Sequence, residues 1–275
     1  MKSNRVAILS AAAGLLWSMS ASAQFSYNNS DLLLGFRTPG GTSDLLVDIG
    51  NVSLYTSATG PIAISGTYFN TSQLTAAGLS LNNLYFSVFG DVSPGYPTNN
   101  GPYNTLWVTA PQASNPVQAA PWAAQNSAQL ATSRSRIESI GAGGNFLGAV
   151  NPADAGTNTT TAIVTPDNYN QSGDISYAIG IGPNGNFQGN FGSNNNIEQR
   201  TSANFSSGII GPDSVRSDLF AMVPGSTGSY LGYFQLDPNG TLTFNPQPVP
   251  EPATWATLGL GMLGLAGWRR IVRKS

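Results

Sequence analysis

The sequence predicts a mainly β domain, an antiparallel sandwich or flattened barrel interrupted by one helix near residues 122–140. Three observations favour this class. Aromatic and branched aliphatic residues recur in short clusters of strand length, and Pro, Gly, Asn and Asp separate the clusters. One longer segment instead places its apolar residues at helical spacing. A disordered polar stalk is the alternative, because only 9% of the residues are charged and Gly, Asn, Ser and Thr are abundant.

The predicted strands of the first half follow one another closely. Their apolar clusters lie at residues 32–36, 44–49, 62–69, 84–89 and 105–109. In the second cluster, Leu45, Val47 and Ile49 alternate with Asp44, Leu46 and Asp48, so they should face the core while Asp44 and Asp48 lie on a solvated face. Pro, Gly and Asn crowd the region from Asp91 to Pro102, which is therefore predicted to be a loop.

The inserted helix is predicted over residues 122–140. Its larger apolar residues are compatible with one helical face: Trp122, Leu130, Ile137 and Ile140. Arg134 and Arg136 lie in its C-terminal half, where positive charge suits the helix dipole. Three glycines follow within residues 141–144, and we expect them to end the helix.

The pattern weakens from Phe146 to about Ser207, and the last predicted strands follow. Residues 182–196 are rich in Gly and Asn and are predicted as a loop or poorly ordered insert. Strands are predicted at residues 218–223, 230–236 and 241–244. Asp237-Pro-Asn-Gly240 separates the last two with the residue preferences of a type I turn, so they should form a hairpin. The same four residues lack the alternating acidic ligands of a calcium loop.

The N-terminus has the layout of a sorting segment and falls outside the predicted fold. Residues 1–23 combine two basic residues, an apolar stretch and the small residues Ala21-Ser22-Ala23. This is the layout of a secretory signal peptide, with cleavage expected between Ala23 and Gln24. A transmembrane anchor is disfavoured because the apolar stretch is too short. The exported β-rich domain is then predicted to span residues 24–245.

The C-terminus joins three parts with different physical properties. Residues 246–252 form a proline-rich spacer that ends in Pro250-Glu251-Pro252 and stays extended, because proline does not continue a helix. The apolar residues 253–268 follow, and Arg269 and Arg270 hold the end of the chain on the cytoplasmic side of a membrane. Residues 253–275 are therefore predicted as a transmembrane helix with a basic tail, although the apolar part is shorter than the ~20 residues of a stable span.

This arrangement resembles the PEP-CTERM sorting signal of Gram-negative bacteria. The resemblance implies export by the secretion machinery, transient insertion of residues 253–268 in the inner membrane, and removal of the tail by a membrane-embedded exosortase. It also implies a final place at the cell surface or in the extracellular matrix, with a link to exopolysaccharide and biofilm formation. An ordinary single-span C-terminal anchor is the alternative.

The composition of the exported part excludes several functions. The chain has neither Cys nor His, which excludes disulfides, thiol catalysis, Ser–His catalysis and the usual zinc sites. Its lysines lie only in the two end segments, so a Ser–Lys pair or a Schiff base is excluded as well. Twelve carboxylates against five arginines give the exported part a net charge of −7, which disfavours nucleic acid as a partner. Of the common catalytic groups, only a carboxylate pair remains.

Two features of the exported part are candidate sites. Asp44 and Asp48 share a strand face, which is one way to place the carboxylate pair of a glycosidase. Their Cα atoms should lie about 13 Å apart, too far for that chemistry without groups from elsewhere. Tyr96, Tyr103 and Trp107 lie in or beside a Pro/Gly-rich loop and could form an aromatic rim for sugar rings. The alternative is that Trp107 packs in the core.

The sequence therefore predicts an exported surface or matrix protein, sorted and cleaved by an exosortase, that is not an enzyme and has no catalytic residue, metal or cofactor. The alternative function is a carbohydrate-binding or carbohydrate-hydrolysing β-domain that uses aromatic residues or paired carboxylates.

Overall fold

A computed structural model describes residues 25–95, 99–113, 117–147, 149–150, 160–164, 175–192, 196–202 and 214–247. In these residues the chain is mainly β, as the sequence predicts, and its strands form one eleven-stranded sheet. The strands are β1 (Asp31–Arg37), β2 (Asp44–Asn51), β3 (Ile62–Ala63), β4 (Tyr85–Asp91), β5 (Leu106–Pro111), β6 (Ala149–Val150), β7 (Thr161–Val164), β8 (Gln199–Arg200), β9 (Val215–Met222), β10 (Ser229–Leu236) and β11 (Leu242–Pro246). The helices are α1 (Ser53–Thr56), α2 (Thr71–Ala76), α3 (Ser127–Leu147) and α4 (Tyr177–Ile181), with a 3₁₀ turn at Leu81–Asn83.

The sheet brings distant parts of the chain together. From edge to edge its order is β3-β11-β10-β9-β5-β4-β1-β2-β7-β6, and β8 pairs with β4 beside this path. All these strand pairs are antiparallel, and the sheet curls into a half-barrel. The described strands are not divided between two sheets, as a sandwich requires, so the flattened barrel is the nearer of the two predicted architectures.

Each face of the sheet carries its own apolar cluster. One cluster joins side chains of β1, β2, β10 and β11 to side chains from α1 and α2: Leu34, Phe36, Val47, Ile49, Tyr55, Leu74, Phe234 and Phe244. The other cluster joins the opposite side of the central strands to α3 and α4: Leu33, Leu46, Phe89, Leu130, Ile137, Ile140, Tyr177 and Ile181. Both faces of the central strands are therefore buried, which explains their nearly continuous apolar sequences.

The helix α3 begins later than the sequence predicts. It starts at Ser127 instead of residue 122. Asn126 and Gln129 exchange hydrogen bonds at this point: the Asn126 Oδ1 accepts from the Gln129 backbone N–H at 3.0 Å, and the Gln129 Oε1 accepts from the Asn126 N–H at 2.9 Å. This reciprocal capping fixes the start of the helix, and Trp122 lies before it in a segment without regular secondary structure.

The predicted end of α3 is wrong, because the helix continues through its glycines to Leu147. These glycines let α3 lie directly against its neighbours. A Cβ atom at Gly143 would be 2.0 Å from the carbonyl oxygen of Ile175, and one at Gly141 would be 2.2 Å from the ring of Tyr27. Close packing of the backbone therefore outweighs the low helix propensity of glycine here.

Several predicted strands and loops are confirmed, with changes at their ends. The long predicted strand at residues 62–69 shortens to β3, because the chain turns at Gly66, whose φ is +80°. The loop between β4 and β5 is confirmed, with strand ends at Asp91 and Leu106. The hairpin of β10 and β11 is confirmed as well, since the N–H of Gly240 donates to the carbonyl of Asp237 at 2.9 Å.

The Gly- and Asn-rich region after α4 is a loop, as predicted, but it is not poorly ordered in its described part. Residues 182–192 form successive hydrogen-bonded turns. Phe187 and Phe191 from these turns are fully buried in the cluster beneath α3. The segment therefore packs as part of the core.

The predicted sorting segments lie beyond the described part of the chain. This holds for the signal peptide at residues 1–23 and for the transmembrane helix and basic tail at residues 253–275. Within the described ranges, no helix combines the length and the apolar character needed to cross a membrane.

Candidate functional site

A polar pocket with a volume of about 860 Å³ opens beside the start of β1. Residues 27–30 before β1, residues at the end of β2 and start of α1, the loop after β4, and one face of α3 line this pocket. Six of the fourteen lining residues are asparagine and three are serine. Most of the lining residues therefore carry a side-chain group that both donates and accepts hydrogen bonds. No group of three or more acidic side chains in the described residues could hold a metal ion.

Asp91, at the end of β4, is buried beside this pocket and bonds two of its lining residues. Its Oδ1 accepts a 2.7 Å hydrogen bond from the hydroxyl of Tyr27, and its Oδ2 accepts a 2.7 Å hydrogen bond from the hydroxyl of Ser93. Burial raises the pKa of Asp91 to about 6, although both hydrogen bonds favour its ionised form. Since Asp91 is 0% exposed, it positions Tyr27 and Ser93 but does not reach the space they line.

Arg134 and Glu138 form the charged wall of the pocket. They lie one turn apart on α3, with Arg134 Nη1 3.1 Å from Glu138 Oε1. The hydroxyl of Ser93 also contacts Glu138 Oε1, so the wall is joined to the buried Asp91. The Nε of Arg134 is buried and has no hydrogen-bond partner among the described residues. The Glu138 side chain is 38% exposed, so it is the accessible carboxylate of this group.

Asparagine side chains form the rim of the pocket, and hydrogen bonds hold several of them in place. The Oδ1 of Asn29 accepts from the backbone N–H of Ser93 at 2.7 Å, which ties the segment before β1 to the loop after β4. The Nδ2 of Asn100 donates to the Oδ1 of Asn51 at 3.2 Å, and this same oxygen accepts from the N–H of Ser53 at 3.1 Å. The rim is thus preformed, as binding pockets usually are.

A second polar cluster is enclosed between the sheet and α4. Arg37 binds both carboxylate oxygens of Glu198, with distances of 2.7 Å from Nε and 2.5 Å from Nη2. The hydroxyl of Tyr177 lies 2.7 Å from both Glu198 Oε1 and Ser87 Oγ. Arg37 is 8% exposed, and the other members of the cluster are more buried. The cluster therefore joins β1, β4 and α4 and offers no group to a ligand.

Asp44 and Asp48 are both buried, so the predicted solvated face of β2 is wrong. Asp44 is 1% exposed and accepts from the N–H of Ala178 in α4 at 2.7 Å, while Asp48 is 9% exposed and accepts from the N–H of Gly50 at 2.7 Å. Burial raises the pKa of Asp44 to about 7, and burial together with the neighbouring Asp31 raises that of Asp48 to about 7. Neither Asp44 nor Asp48 lines the pocket.

Two of the three residues predicted to form an aromatic rim do not line the pocket. Trp107 is 1% exposed and packs in the core, which is the alternative stated for it above. Tyr103 is 46% exposed but does not line the pocket, and Tyr96 lies outside the described residues. The aromatic residue in the pocket is Tyr27.

Sequence reasoning missed the pocket because its residues come from four separate segments. The available signal was weak: asparagine pairs such as Asn28-Asn29 and Asn99-Asn100 also occur elsewhere in this Asn-rich chain. The link between Asp91 and Glu138 needs the packing of α3 against the end of β4, which no local pattern predicts.

The predicted sorting and cleavage residues fall outside the described part of the chain: Ala21, Ala23, Gln24, Pro250, Glu251, Pro252, Arg269 and Arg270. Residues 248–271 match the family model of the PEP-CTERM protein-sorting motif, which confirms the resemblance drawn from the sequence. The motif indicates an exported protein that is sorted by an exosortase to the surface or the extracellular space. No curated protein and no solved structure matches the chain.

Proposed function

We propose that this chain, which carries a PEP-CTERM protein-sorting motif, is a non-enzymatic surface or matrix protein that acts with exopolysaccharide in a biofilm. The single observation that carries the proposal is the motif at residues 248–271. In this proposal the secretion machinery exports the chain and residues 253–268 enter the inner membrane transiently. An exosortase then recognises Pro250-Glu251-Pro252 and removes the tail.

The end of the fold suits this processing. The last strand, β11, ends at Pro246, and the match to the sorting motif begins at residue 248. The folded domain therefore stops directly before the segment that the exosortase must reach. Three prolines at alternate positions from Pro246 to Pro250 favour an extended connection, so the enzyme need not unwind a helix.

The geometry of the carboxylates favours binding over hydrolysis. A glycosidase needs two carboxyl groups that both reach the sugar, roughly 5–9.5 Å apart. Glu138 in the pocket is joined through Ser93 to Asp91, but Asp91 is fully buried and does not line the pocket. Asp44 and Asp48 are also buried and bonded to backbone N–H groups. These observations support a binding role and disfavour the hydrolase alternative.

The sorting part of the proposal is tested by replacing Pro250, Glu251 and Pro252 with alanine in the host. Alanine allows helix to extend from the apolar stretch into the spacer, and it removes the charge of Glu251. We expect the variant to remain uncleaved in the inner-membrane fraction, whereas the wild type and a Gln247→Ala control are released. Protease resistance of the domain checks that it is still folded. Equal release of the triple variant would contradict the proposal.

The non-enzymatic part is tested with the released protein and the host's own exopolysaccharide. We expect the polysaccharide to retain the protein while its chain length, measured by size-exclusion chromatography with light scattering, stays constant. Shortening of the polysaccharide that depends on Glu138 would establish the hydrolase alternative instead.

A further inference from the structure

We infer that the polar pocket beside β1 binds a neutral oligosaccharide. The inference rests on the proposed function for the source of the ligand, the exopolysaccharide, but the class of ligand follows from the pocket itself. Its volume of about 860 Å³ lies in the upper part of the ~300–1,000 Å³ range of small-molecule sites, which favours several sugar units over one.

The hydrogen-bonding groups of the pocket match the hydroxyl groups of a sugar. A hydroxyl donates one hydrogen bond and accepts others, and a carboxamide likewise offers both functions. The side chains of Asn28 and Asn99 are exposed, and within the described part of the chain their carboxamides have no hydrogen-bond partner. They are therefore free to bond a ligand, while the carboxamides of Asn29, Asn51 and Asn100 hold the rim in shape.

The charged wall adds a donor and an acceptor at one place. The guanidinium of Arg134 and the carboxylate of Glu138 lie side by side on α3 and bond each other through only one Nη1–Oε1 contact. One sugar hydroxyl can accept from Arg134 and donate to Glu138 at the same time. Such charge-assisted hydrogen bonds are stronger than those between neutral groups.

Tyr27 supplies an aromatic surface among these polar groups. Its ring packs on the backbone of α3 at Gly141, and its hydroxyl is held by the buried carboxylate of Asp91. An amphipathic ring with its polar end already bonded presents carbon atoms to a ligand, which suits the C–H groups of a sugar ring. The side chain is thus positioned before any ligand arrives.

The charge around the pocket selects against acidic sugars. Glu138 lines the pocket, and the carboxyl groups of Asp31 and Asp91 lie directly behind it, where they bond residues of the lining. Arg134 is the single cation among the lining residues. Because carboxyl groups outnumber cations here, a uronate or a sulfated sugar would be repelled. The occupant is therefore an uncharged saccharide.

The test uses the full chain purified in detergent, so that binding does not depend on sorting. Partial hydrolysis of the host's exopolysaccharide yields oligosaccharides that anion exchange separates into a neutral and an acidic fraction. Isothermal titration calorimetry measures each fraction, with tetragalacturonate as a defined acidic comparison. We expect binding of the neutral fraction and at least about tenfold weaker binding of both acidic samples, since like charges across an interface oppose binding.

Three variants locate the binding site. Asn28→Ala removes an exposed, unbonded carboxamide, and Arg134→Ala removes the cation of the wall. Each should weaken binding about tenfold, the effect of losing one or two hydrogen bonds. Arg136→Ala is the matched control, because Arg136 lies on the same helix but not in the pocket, and it should bind as the wild type does.

Thermal unfolding checks that each variant is folded, and Asn28→Ala decides the question if Arg134→Ala is unstable. The inference is overturned if the neutral fraction does not bind the folded wild type, if an acidic sample binds more tightly, or if Asn28→Ala binds normally. Binding without exosortase-dependent release would contradict the sorting proposal alone. Release without binding would contradict this inference alone.

Discussion

At the scale of single residues, β2 shows what an alternating pattern of apolar residues can and cannot predict. Leu45, Val47 and Ile49 are buried on one face, as their spacing predicts. Asp44 and Asp48 on the other face are buried too: Asp44 lies against α4, where it accepts from the N–H of Ala178, and Asp48 accepts from the N–H of Gly50. Period-2 spacing thus identifies which side chains share a face, but whether a polar face is solvated depends on elements far along the chain.

Phe244 gives a prediction at this scale. Its ring is fully buried and lies 5.1 Å from the ring of Tyr55 and 5.0 Å from that of Phe234, measured between centroids. Replacing Phe244 with alanine should lower the free energy of unfolding by about 3–5 kcal/mol, because it leaves a cavity between these rings. Thr243→Ala, at a half-buried position on the same strand, should cost less than about 1 kcal/mol. Urea denaturation measures both, and similar losses for the two variants would contradict this account of the core.

At the scale of elements, the sequence predicted those whose signal is local. The hairpin of β10 and β11 depends on four turn residues and two flanking apolar runs, and it is confirmed. The short elements β7, β8 and α4 were not predicted, because segments of two to five residues are too short to show a periodic pattern of apolar residues. The end of α3 was wrong because tertiary packing decided it. The pocket could not be predicted, since it exists only where four elements meet.

The glycines of α3 give the prediction that belongs to this scale. Alanine at Gly143 would favour the isolated helix by about 1 kcal/mol, but its Cβ would lie 2.0 Å from the backbone oxygen of Ile175. The clash with the backbone should outweigh the gain in helix propensity, so the free energy of unfolding should fall by about 1–3 kcal/mol. The matched control is Ser135→Ala on the exposed side of α3, which should change it by no more than about 0.5 kcal/mol.

Chemical denaturation again measures the Gly143 and Ser135 variants. A stabilised Gly143→Ala protein would mean that α3 does not lie against Ile175, and the account of the glycines would be wrong.

At the scale of the whole molecule, the exported domain holds together without any disulfide bond. The chain has no cysteine, so packing and hydrogen bonds alone hold the fold. The central strands β1 and β4 come from the first half, whereas β9, β10 and β11 from the second half continue the sheet to the edge strand β3. Both ends of the described chain are also fixed: Phe25 is 5% exposed beneath α3, and β11 pairs on both sides.

The mature form of the protein is a prediction at this scale. We expect the released chain to begin at Gln24 and to lack the apolar tail through Trp268, because a signal peptidase and an exosortase act just outside the two fixed ends of the fold. Intact-mass spectrometry of the extracellular protein measures both ends at once. Recovery of the full tail from wild-type cells would leave an ordinary membrane anchor as the explanation of the C-terminus.

The last prediction concerns the dependence of stability on pH, which follows from carboxyl groups buried throughout the molecule. Burial raises the pKa of Asp44 and Asp48 to about 7 and that of Asp91 to about 6, from an unperturbed value of 3.8. Between these values the folded state keeps protons that the unfolded state has lost. The contribution of these three carboxyls to stability should therefore be greatest below about pH 4 and should fall as the pH rises to 7, by up to about 1.4 kcal/mol per pH unit for each carboxyl.

Thermal unfolding between pH 4 and pH 8 measures this dependence. Asp48→Asn keeps an oxygen that can accept from the N–H of Gly50 but cannot ionise, so the variant should lose less stability over this range than the wild type. Asn239→Asp adds a carboxyl in the exposed turn before β11 and should leave the dependence unchanged. If Asp48→Asn loses as much stability over this range as the wild type does, Asp48 ionises freely in the folded protein. The face of β2 that carries Asp48 would then be open to water, because burial is the main cause of its raised pKa.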